Sequence, residues 1–372
     1  MYLSCVFHCN LSFSCIPPQR YPEVIKHCYV PMLALAQDIS VGVEASGWTL
    51  ERWYHLDKLG VQSLVSMAKQ KKIELIAGGY NQIVIPIAPR EVNALNFSVG
   101  QSVYEDMGFQ RPHTLLIPEQ CWEDITPPPS TWFRNVIMEY NEVAFCHPEW
   151  SKCIGFHPVM LRSVFKDKHP IRVIWSDYIL WQKVQRFISG ASLSHPRIPE
   201  ELGEEHNHCT LCSGERHKTL YCGDAEVIGY RPNAIVPKGN EWSLFYRLLK
   251  RCMRVGNQFI LPRDVSKKVP GIYIDDVFPT GPVPVLTKKQ VKFQVMRWAV
   301  TGIAGEVNRR CWDLHFKIKR DNINLKDLPM TLKKNILKIW GSDYRTTTCT
   351  EKQTEFLHLI NSVERAGGWE WN

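Results

Sequence analysis

Two acidic residues stand out because each one follows an apolar run of the kind that forms a buried strand. Glu119 comes directly after the letters LLIP, and Asp224 comes directly after YCG. A pair of carboxyl groups in one polar pocket can cleave a glycosidic bond, since one attacks or stabilises the anomeric carbon while the other protonates the leaving oxygen. Aromatic and sulfur-containing neighbours on both sides would raise the pKa of the acid by desolvation. We therefore treat Glu119 and Asp224 as candidate catalytic residues.

These acids belong to a strand–helix alternation that fills the first 230 residues. Short apolar runs of this kind suit strands that are buried on both faces of a parallel sheet. The predicted strands are 1–7, 41–45, 73–77, 113–118, 136–145, 171–175 and 219–223. The predicted helices between them include 50–70, 90–107 and 177–189. The alternation predicts an α/β fold of the irregular, TIM-like (β/α)7 barrel type, in which the carboxyl ends of the strands form the active site.

The pattern changes after about residue 235, which predicts a division of the chain into three parts. We expect the barrel over residues 1–235, a connecting segment rich in proline and glycine over 236–286, and a mainly helical C-terminal region over 287–372. Further helices are predicted at 241–255, 288–314, 330–340 and 350–366. Thr287 and Gln290 have the spacing of a capping box, which marks the predicted start of the longest of them.

Composition limits the class of protein. The 372 residues are 44% hydrophobic and 22% charged, which is typical of a globular chain. The 13 cysteines are spread along the sequence, which favours a reducing compartment over a disulfide scaffold. No apolar window reaches the length of a membrane span, and the N-terminus lacks a basic segment and a cleavage site, so we expect a cytoplasmic protein without a membrane partner.

The net charge of +8 comes from one segment, since residues 288–340 hold 13 basic and four acidic side chains. We interpret this segment as a solvated helical face. It contains no zinc-finger spacing and no aromatic RNA-binding motif, so a nucleic-acid partner is not predicted.

Five passages, in order, resemble the conserved motifs of glycoside hydrolase family 57. They are Phe7-His8-Cys9-Asn10, IELIAGGY at 73–80, LLIPEQCW at 115–122, GDAEVIGYRP at 223–232 and, more distantly, RWAVTGIAGEVNRRCW at 297–312. Enzymes of this family are retaining, act on α-glucans and have a (β/α)7 barrel. The resemblance covers roughly residues 1 to 315, and its third and fourth passages are the most specific.

The resemblance implies a role for each acid. Glu119 stands at the position of the nucleophile, and Asp224 stands at the position of the general acid/base. An oligosaccharide or polysaccharide substrate with α-linked glucose is implied, with no metal and no organic cofactor. Capture of the intermediate by water would give a hydrolase, and capture by a sugar hydroxyl would give a transglycosylase; the sequence leaves both open, together with the oligomeric state.

Six further residues are candidates for substrate binding, and each has an alternative structural interpretation. His8 could bind a sugar hydroxyl or be a satisfied core histidine. Gly79 and Tyr80 could approach the substrate or form a tight turn. Glu44 could line the barrel mouth, while Trp122 and Trp175 would suit sugar stacking, although tryptophan is commonly a core residue. We interpret Asp177 as a helix N-cap.

A cysteine–histidine cluster precedes Asp224. His208, Cys209, Cys212 and His217 have the ligand types of a tetrahedral zinc site, but the second ligand pair lacks clean spacing. We favour a solvated loop and keep zinc as the alternative.

Two departures from the family pattern keep other functions open. Cys-Asn-Leu follows His8 where the family usually has Gln-Pro after its histidine, and the closing passage lacks the usual polar and aromatic residues. A carbohydrate-binding barrel with weak or absent turnover is therefore one alternative. A metal-dependent deacetylase is another, although its Asp and two well-spaced histidines are not found near Asp224 outside the cysteine–histidine cluster.

Overall fold

A computed structural model describes most of the chain. The described residues are 1–13, 15–121, 133–150, 152–161, 171–190, 214–230, 240–274, 295–300, 302–347 and 349–369. Trp122, His208, Cys209, Cys212, Thr287 and Gln290 lie outside these residues, so the predictions that concern them stay predictions. Within the described ranges, no helix is both long enough and apolar enough to cross a bilayer.

The strands are short and mostly parallel. They are β1 Tyr2–Cys9, β2 Val41–Ala45, β3 Ile73–Ile76, β4 Thr114–Leu116, β5 Asn135–Glu139, β6 Val159–Leu161, β7 Ile171–Ser176, β8 His217–Asp224, β9 Gln258–Phe259 and β10 Ile272–Ile274. One sheet has the order β3-β2-β1-β8, with β9 also paired to β1, and the other has the order β10-β6-β7-β5-β4. Only the β6–β7 pair among these is antiparallel. The first sheet therefore carries His8 and Asp224, and β4 in the second leads into Glu119.

The helices surround the strands and form a second layer. They are α1 Tyr21–Val24, α2 Val30–Leu35, α3 Gly47–Leu56, α4 Lys58–Lys69, α5 Arg90–Asp106, α6 Tyr140–Cys146, α7 Tyr178–Ile188, α8 Glu241–Arg254, α9 Val265–Lys268, α10 Met296–Ala299, α11 Ala304–Arg320, α12 Met330–Ile339, α13 Asp343–Thr346 and α14 Thr350–Gly367. A π-helical stretch, Ile25–Tyr29, joins α1 to α2. Asp177 caps α7 as predicted, since its Oδ1 accepts a hydrogen bond from Leu180 N at 3.0 Å.

The seven predicted apolar runs are the seven strands β1 to β5, β7 and β8. A parallel bridge between Ala77 and Leu115 joins the two sheets at β3 and β4. At the other side, Thr219 on β8 donates a side-chain hydrogen bond of 2.6 Å to the carbonyl of Trp175 on β7. Among the described residues, no backbone ladder joins β7 to β8. The observed fold is thus a mixed α/β architecture with parallel sheets.

Two sequence predictions about these elements were wrong in part. The run 136–145 was predicted as one strand, but only its first half is strand and α6 begins at Tyr140. Because Glu139 and Asn141 hydrogen-bond at this point, the chain turns into a helix instead of continuing the strand. The helix predicted at 288–314 is replaced, over the described residues, by α10 and by α11, which continues to Arg320.

The C-terminal helices pack on α5 and not on the strands. The apolar stripe of α5 includes Val92, Leu95, Val99 and Val103, and all four are buried together with residues of α11, α12 and α14. Cys311, Leu337 and Ile360 are fully buried members that those helices contribute. This packing fixes the C-terminal helices beside the carboxyl end of the sheet.

Candidate functional site

Strand register places three polar residues at one level. His8 is paired with Glu44 on β2 and with Asp224 on β8, so three neighbouring parallel strands present these side chains side by side. Parallel strands put their carboxyl ends at the same edge of a sheet, which is where α/β proteins bind ligands. Here that edge borders a cavity of about 350 Å³ that His8, Glu119 and Asp224 line together.

Glu119 reaches this cavity from a tight turn after β4. The turn Pro118–Gln120 is a single 3₁₀ turn, in which Glu119 has φ 55° and Gln120 has φ 58°. Two consecutive non-glycine residues in the left-handed region carry a strain of order 1–3 kcal/mol each, and such strain is concentrated at functional sites. The turn directs the carboxyl group of Glu119 toward the cavity that Asp224 also lines.

His8 is held as a cation by its acidic neighbours. Its Nδ1 contacts Oε2 of the fully buried Glu44, and its Nε2 lies 3.9 Å from Asp224 Oδ1. Burial lowers the pKa of His8, but the charge and hydrogen bond of Glu44, with contributions from Asp224 and Glu226, outweigh it and raise the pKa to about 10. His8 therefore carries a positive charge next to Asp224 at neutral pH.

Glu44 has its own supports. Gln82 Nε2 donates a hydrogen bond of 2.8 Å to Glu44 Oε1. A Cβ at position 78 would lie 1.8 Å from the same oxygen, so only glycine fits beside this carboxylate. The GG pair of the sequence therefore makes room for Glu44, and Gln82 keeps the carboxylate oriented toward His8.

Asp224 has a raised pKa, as a general acid requires. Burial is the largest cause, and the charges of Glu119 and Glu44 act in the same direction. His8 and Arg297 oppose the shift because their positive charges favour the carboxylate. The contribution of Glu119 shows that the two candidate catalytic carboxyls interact electrostatically across the cavity.

The cavity is lined by further charged residues that the sequence analysis left out of the predicted site. Glu139 and Glu142 line it from β5 and α6, while Asp343 and Arg297 line it from the C-terminal helices. Burial raises the pKa of Asp343 to about 6, and Asn10 donates to its Oδ2 over 3.1 Å. The strand-end position of Glu139 was a usable signal, but the contributions from α10 and α13 depend on long-range packing that local sequence patterns do not encode.

Glu226, two residues after Asp224, was also missed. Its Oε1 accepts hydrogen bonds from Asn10 N at 2.7 Å and from the hydroxyl of Tyr29. Burial and the charge of Asp224 raise its pKa to about 7. Glu226 thus ties β1 and the Ile25–Tyr29 stretch to the turn that follows Asp224.

Four of the predicted substrate-binding residues do not line this cavity. Glu44 is fully buried and contacts His8, which does line it. Tyr80 is buried with the C-terminal helices, and its hydroxyl donates a 3.1 Å hydrogen bond to Glu51. Gly79 has φ 82° and its position is packed against Asn96. Trp175 is buried in the core, where its ring packs against Tyr140 at 5.8 Å. The aromatic residues in the described lining of the cavity are Phe13, Tyr178, Trp181 and Trp298.

His217 lies at the far end of β8 from Asp224. It is buried, its Nε2 is 2.9 Å from Ser4 Oγ, and burial lowers its pKa to about 3. The described part of the chain contains no group of three or more His, Cys, Asp or Glu side chains that could hold a metal ion. His217 is therefore a neutral core histidine, which differs from the loop position predicted for it.

Known structures share this architecture. No protein-family model matches the chain, and no curated protein matches its sequence significantly. A 4-α-glucanotransferase from Thermococcus litoralis has a TM-score of 0.69 at 15% identity, over 98% of this chain and 60% of that one, so the chain spans less than two thirds of that enzyme. A glycoside hydrolase family 57 branching enzyme from Thermococcus kodakaraensis has a TM-score of 0.69 at 11% identity, over 98% and 89%.

An α-amylase from Thermotoga maritima is a third similar structure. It has a TM-score of 0.61 at 11% identity, over 100% of this chain and 94% of that one. The resemblance to family 57 is thus confirmed at the level of the fold, and the described strands and helices have the arrangement of these enzymes.

Proposed function

We propose that the chain is a retaining glycoside hydrolase or transglycosylase that acts on an α-linked glucan or a related polysaccharide. The observation that carries this function is the meeting of Glu119 and Asp224 in one cavity at the carboxyl ends of parallel strands. The shared fold with a glucanotransferase, a branching enzyme and an α-amylase supports the substrate class.

Double displacement assigns a role to each carboxyl group. Glu119 attacks the anomeric carbon and forms a covalent glycosyl ester, while Asp224 gives its proton to the departing oxygen. Asp224 then takes a proton from water or from an acceptor sugar, which attacks the same carbon and releases Glu119. The raised pKa of Asp224 keeps part of it protonated for the first step, and His8 limits that shift so that the carboxylate can re-form.

The proposed domain organisation is a barrel with a helical region beside its substrate cavity. The seven parallel strands close into a (β/α)7 barrel over residues 1–235, with β7 and β8 as the last pair. The described part of the predicted connecting segment 236–286 also contributes β9, which pairs with β1, and β10, which pairs with β6. The helical region 287–372 supplies Arg297 and Asp343 to the substrate cavity. His8 and Glu44 position the acid/base, and Trp181 offers an aromatic face to a sugar ring.

The stereochemistry of the product tests this function. We expect ¹H NMR of the first turnovers on maltooligosaccharides to show the α-anomer, because two displacements restore the configuration of the substrate. A shift of the product pattern toward longer chains at high substrate concentration identifies transglycosylation. Initial release of the β-anomer, or no turnover across a panel of α-linked glucans, would contradict the assignment.

A further inference from the structure

One wall of the cavity consists of buried carboxyl groups that the double displacement does not use. Glu139, at the end of β5, and Glu142, in the first turn of α6, both line the cavity, and each is 1% exposed. Trp181 and Gln182 of α7 also line this cavity. This acidic wall, Glu139 and Glu142, has no catalytic role in the mechanism above.

The two acids differ in their partners. Glu139 is fully engaged, since Ser176 Oγ donates to it over 2.9 Å and the backbone N–H groups of Asn141 and Tyr178 donate over 3.1 Å each. Glu142 Oε2 is buried and has no hydrogen-bond partner among the described residues. A buried carboxyl oxygen without a partner is destabilising, so a ligand group that forms a hydrogen bond with it gains affinity.

The charges around the cavity indicate which kind of ligand it would bind. The described lining contains five carboxyl groups, on Glu119, Glu139, Glu142, Asp224 and Asp343, and two cationic side chains, on His8 and Arg297. His8 is already paired with Glu44, and the charges of His8 and Arg297 both act on Asp224. Glu139 and Glu142 hold protons at pH 7 in the empty cavity, because burial and the neighbouring acids raise their pKa values to about 8 and about 9. Either carboxyl can ionise when a ligand brings a positive charge.

We propose, building on the glycosidase function above, that Glu142 binds a positively charged amino group of the substrate. The favoured substrate class is then a polysaccharide or oligosaccharide that contains an amino sugar with a free amine. An ammonium group supplies both the missing hydrogen bond to Oε2 and a positive charge. Trp181, which is partly exposed and also lines the cavity, provides an apolar surface for the ring that carries the amine.

Binding of the amine changes the protonation of Glu142. Burial, followed by the charge of Glu139, raises the pKa of Glu142 to about 9, so the empty site holds a protonated carboxyl at pH 7. An ammonium group favours the carboxylate, and the O–H bond of Glu142 breaks with its proton passing to the buffer. The amine keeps its own proton, and no other bond changes.

Calorimetric titration of the full chain with monosaccharides tests this site without turnover. The probes are glucose, N-acetylglucosamine and the 2-amino, 3-amino and 6-amino derivatives of glucose, each at pH 7 in two buffers of different ionisation enthalpy. We expect at least one amino sugar to bind about tenfold more tightly than glucose, which is the net gain from a charge-assisted hydrogen bond after the cost of removing the proton of Glu142. N-acetylglucosamine should gain nothing, and binding of the amino sugar should release close to one proton.

Two variants test whether the preference for an amino sugar depends on the acidic wall. Glu142→Gln, which resembles the protonated carboxyl in shape, should abolish both the preference for the amine and the proton release. Glu74→Gln is the matched control, because Glu74 is also a buried acid with a pKa raised to about 7, but it lies at the opposite end of the sheet. Glu74→Gln should keep the preference.

The outcomes separate this site from the catalytic assignment. Equal affinity for glucose and all amino sugars, a preference that survives in Glu142→Gln, or absence of binding by every probe overturns the amine site. Retaining turnover of neutral glucans with no amine preference leaves the glycosidase function intact. Amine binding through Glu142 in a chain without glycosidic turnover supports the site and contradicts the glycosidase function.

Discussion

Buried acids occupy both ends of the sheet, and their hydrogen bonding differs. At the end away from the cavity, Glu74 accepts hydrogen bonds from Thr114 Oγ1 at 2.6 Å and from Arg263 N at 2.7 Å, so each of its oxygens has a partner. At the cavity end, Glu142 has an oxygen without a partner, and Asp224 is a third exposed. Burial raises the pKa at both ends, so a raised pKa alone does not mark a functional site.

From this comparison we infer that the buried acid at one end of the sheet maintains the fold, and that the acids at the cavity end serve ligand binding or catalysis. Where every oxygen of a buried carboxyl is satisfied by the protein, its substitution affects stability. Where the protein leaves capacity unused beside a cavity, its substitution affects ligand binding or catalysis. Variants at the two ends should separate these effects.

The largest expected difference lies in catalytic activity. Glu119→Gln and Asp224→Asn should each lower kcat/KM on an α-glucan by about 10³-fold or more, because loss of a nucleophile or of an acid/base removes most of the rate enhancement. Glu74→Gln should stay within a few-fold of the parent protein when both are assayed below their unfolding temperatures. Full activity in either cavity variant would contradict the site assignment.

The dependence of stability on pH should be of intermediate size. Glu139, Glu142 and His8 have pKa values raised to about 8, 9 and 10, so the folded state holds more protons than the unfolded state between pH 5 and pH 9. The free energy of unfolding should therefore be highest near pH 5 and fall by roughly 2 kcal/mol or more toward pH 9. Urea titrations at both pH values measure this change.

Glu142→Gln provides the internal comparison for stability. It removes one of the groups that must lose a proton, so its loss of stability between pH 5 and pH 9 should be smaller than that of the parent protein. A parent protein that becomes more stable over this range would show that the wall is not held protonated.

The smallest expected effect is a shift of a pH profile. The positive charge of His8 lowers the pKa of Asp224, so His8→Asn should move the alkaline limb of kcat/KM to higher pH by about half a unit to one unit. His217→Asn, which replaces a buried neutral histidine at the start of β8, should leave the limb in place. Movement of the limb to lower pH in His8→Asn would contradict the role of its charge.

Sequence reasoning predicted the seven main strands well, because they depend on local patterns. All seven apolar runs became strands of the parallel series, and the predicted N-cap of α7 is present. His8 and Glu44 were predicted as candidates for substrate binding, and strand register places them level with Asp224.

Residues that reach the cavity from distant parts of the chain could not be predicted in this way. Asp343 and Arg297 lie more than 70 residues beyond Asp224, and only the packing of the C-terminal helices on α5 brings them to the cavity. Local reasoning placed Tyr80 at the site, whereas distant packing removes it. Its position after two glycines suggested contact with substrate, but its ring is buried among residues of α5 and the C-terminal helices.

Trapping of the glycosyl intermediate tests the central claim most directly. A panel of activated fluoroglycosides, in which fluorine slows the second displacement, should leave a covalent sugar on the protein. Peptide mapping by mass spectrometry is expected to place that sugar on Glu119, with no label in Glu119→Gln. A label on Asp224, Glu139, Glu142 or Asp343, or turnover of the same glycosides without any covalent intermediate, would contradict double displacement at Glu119.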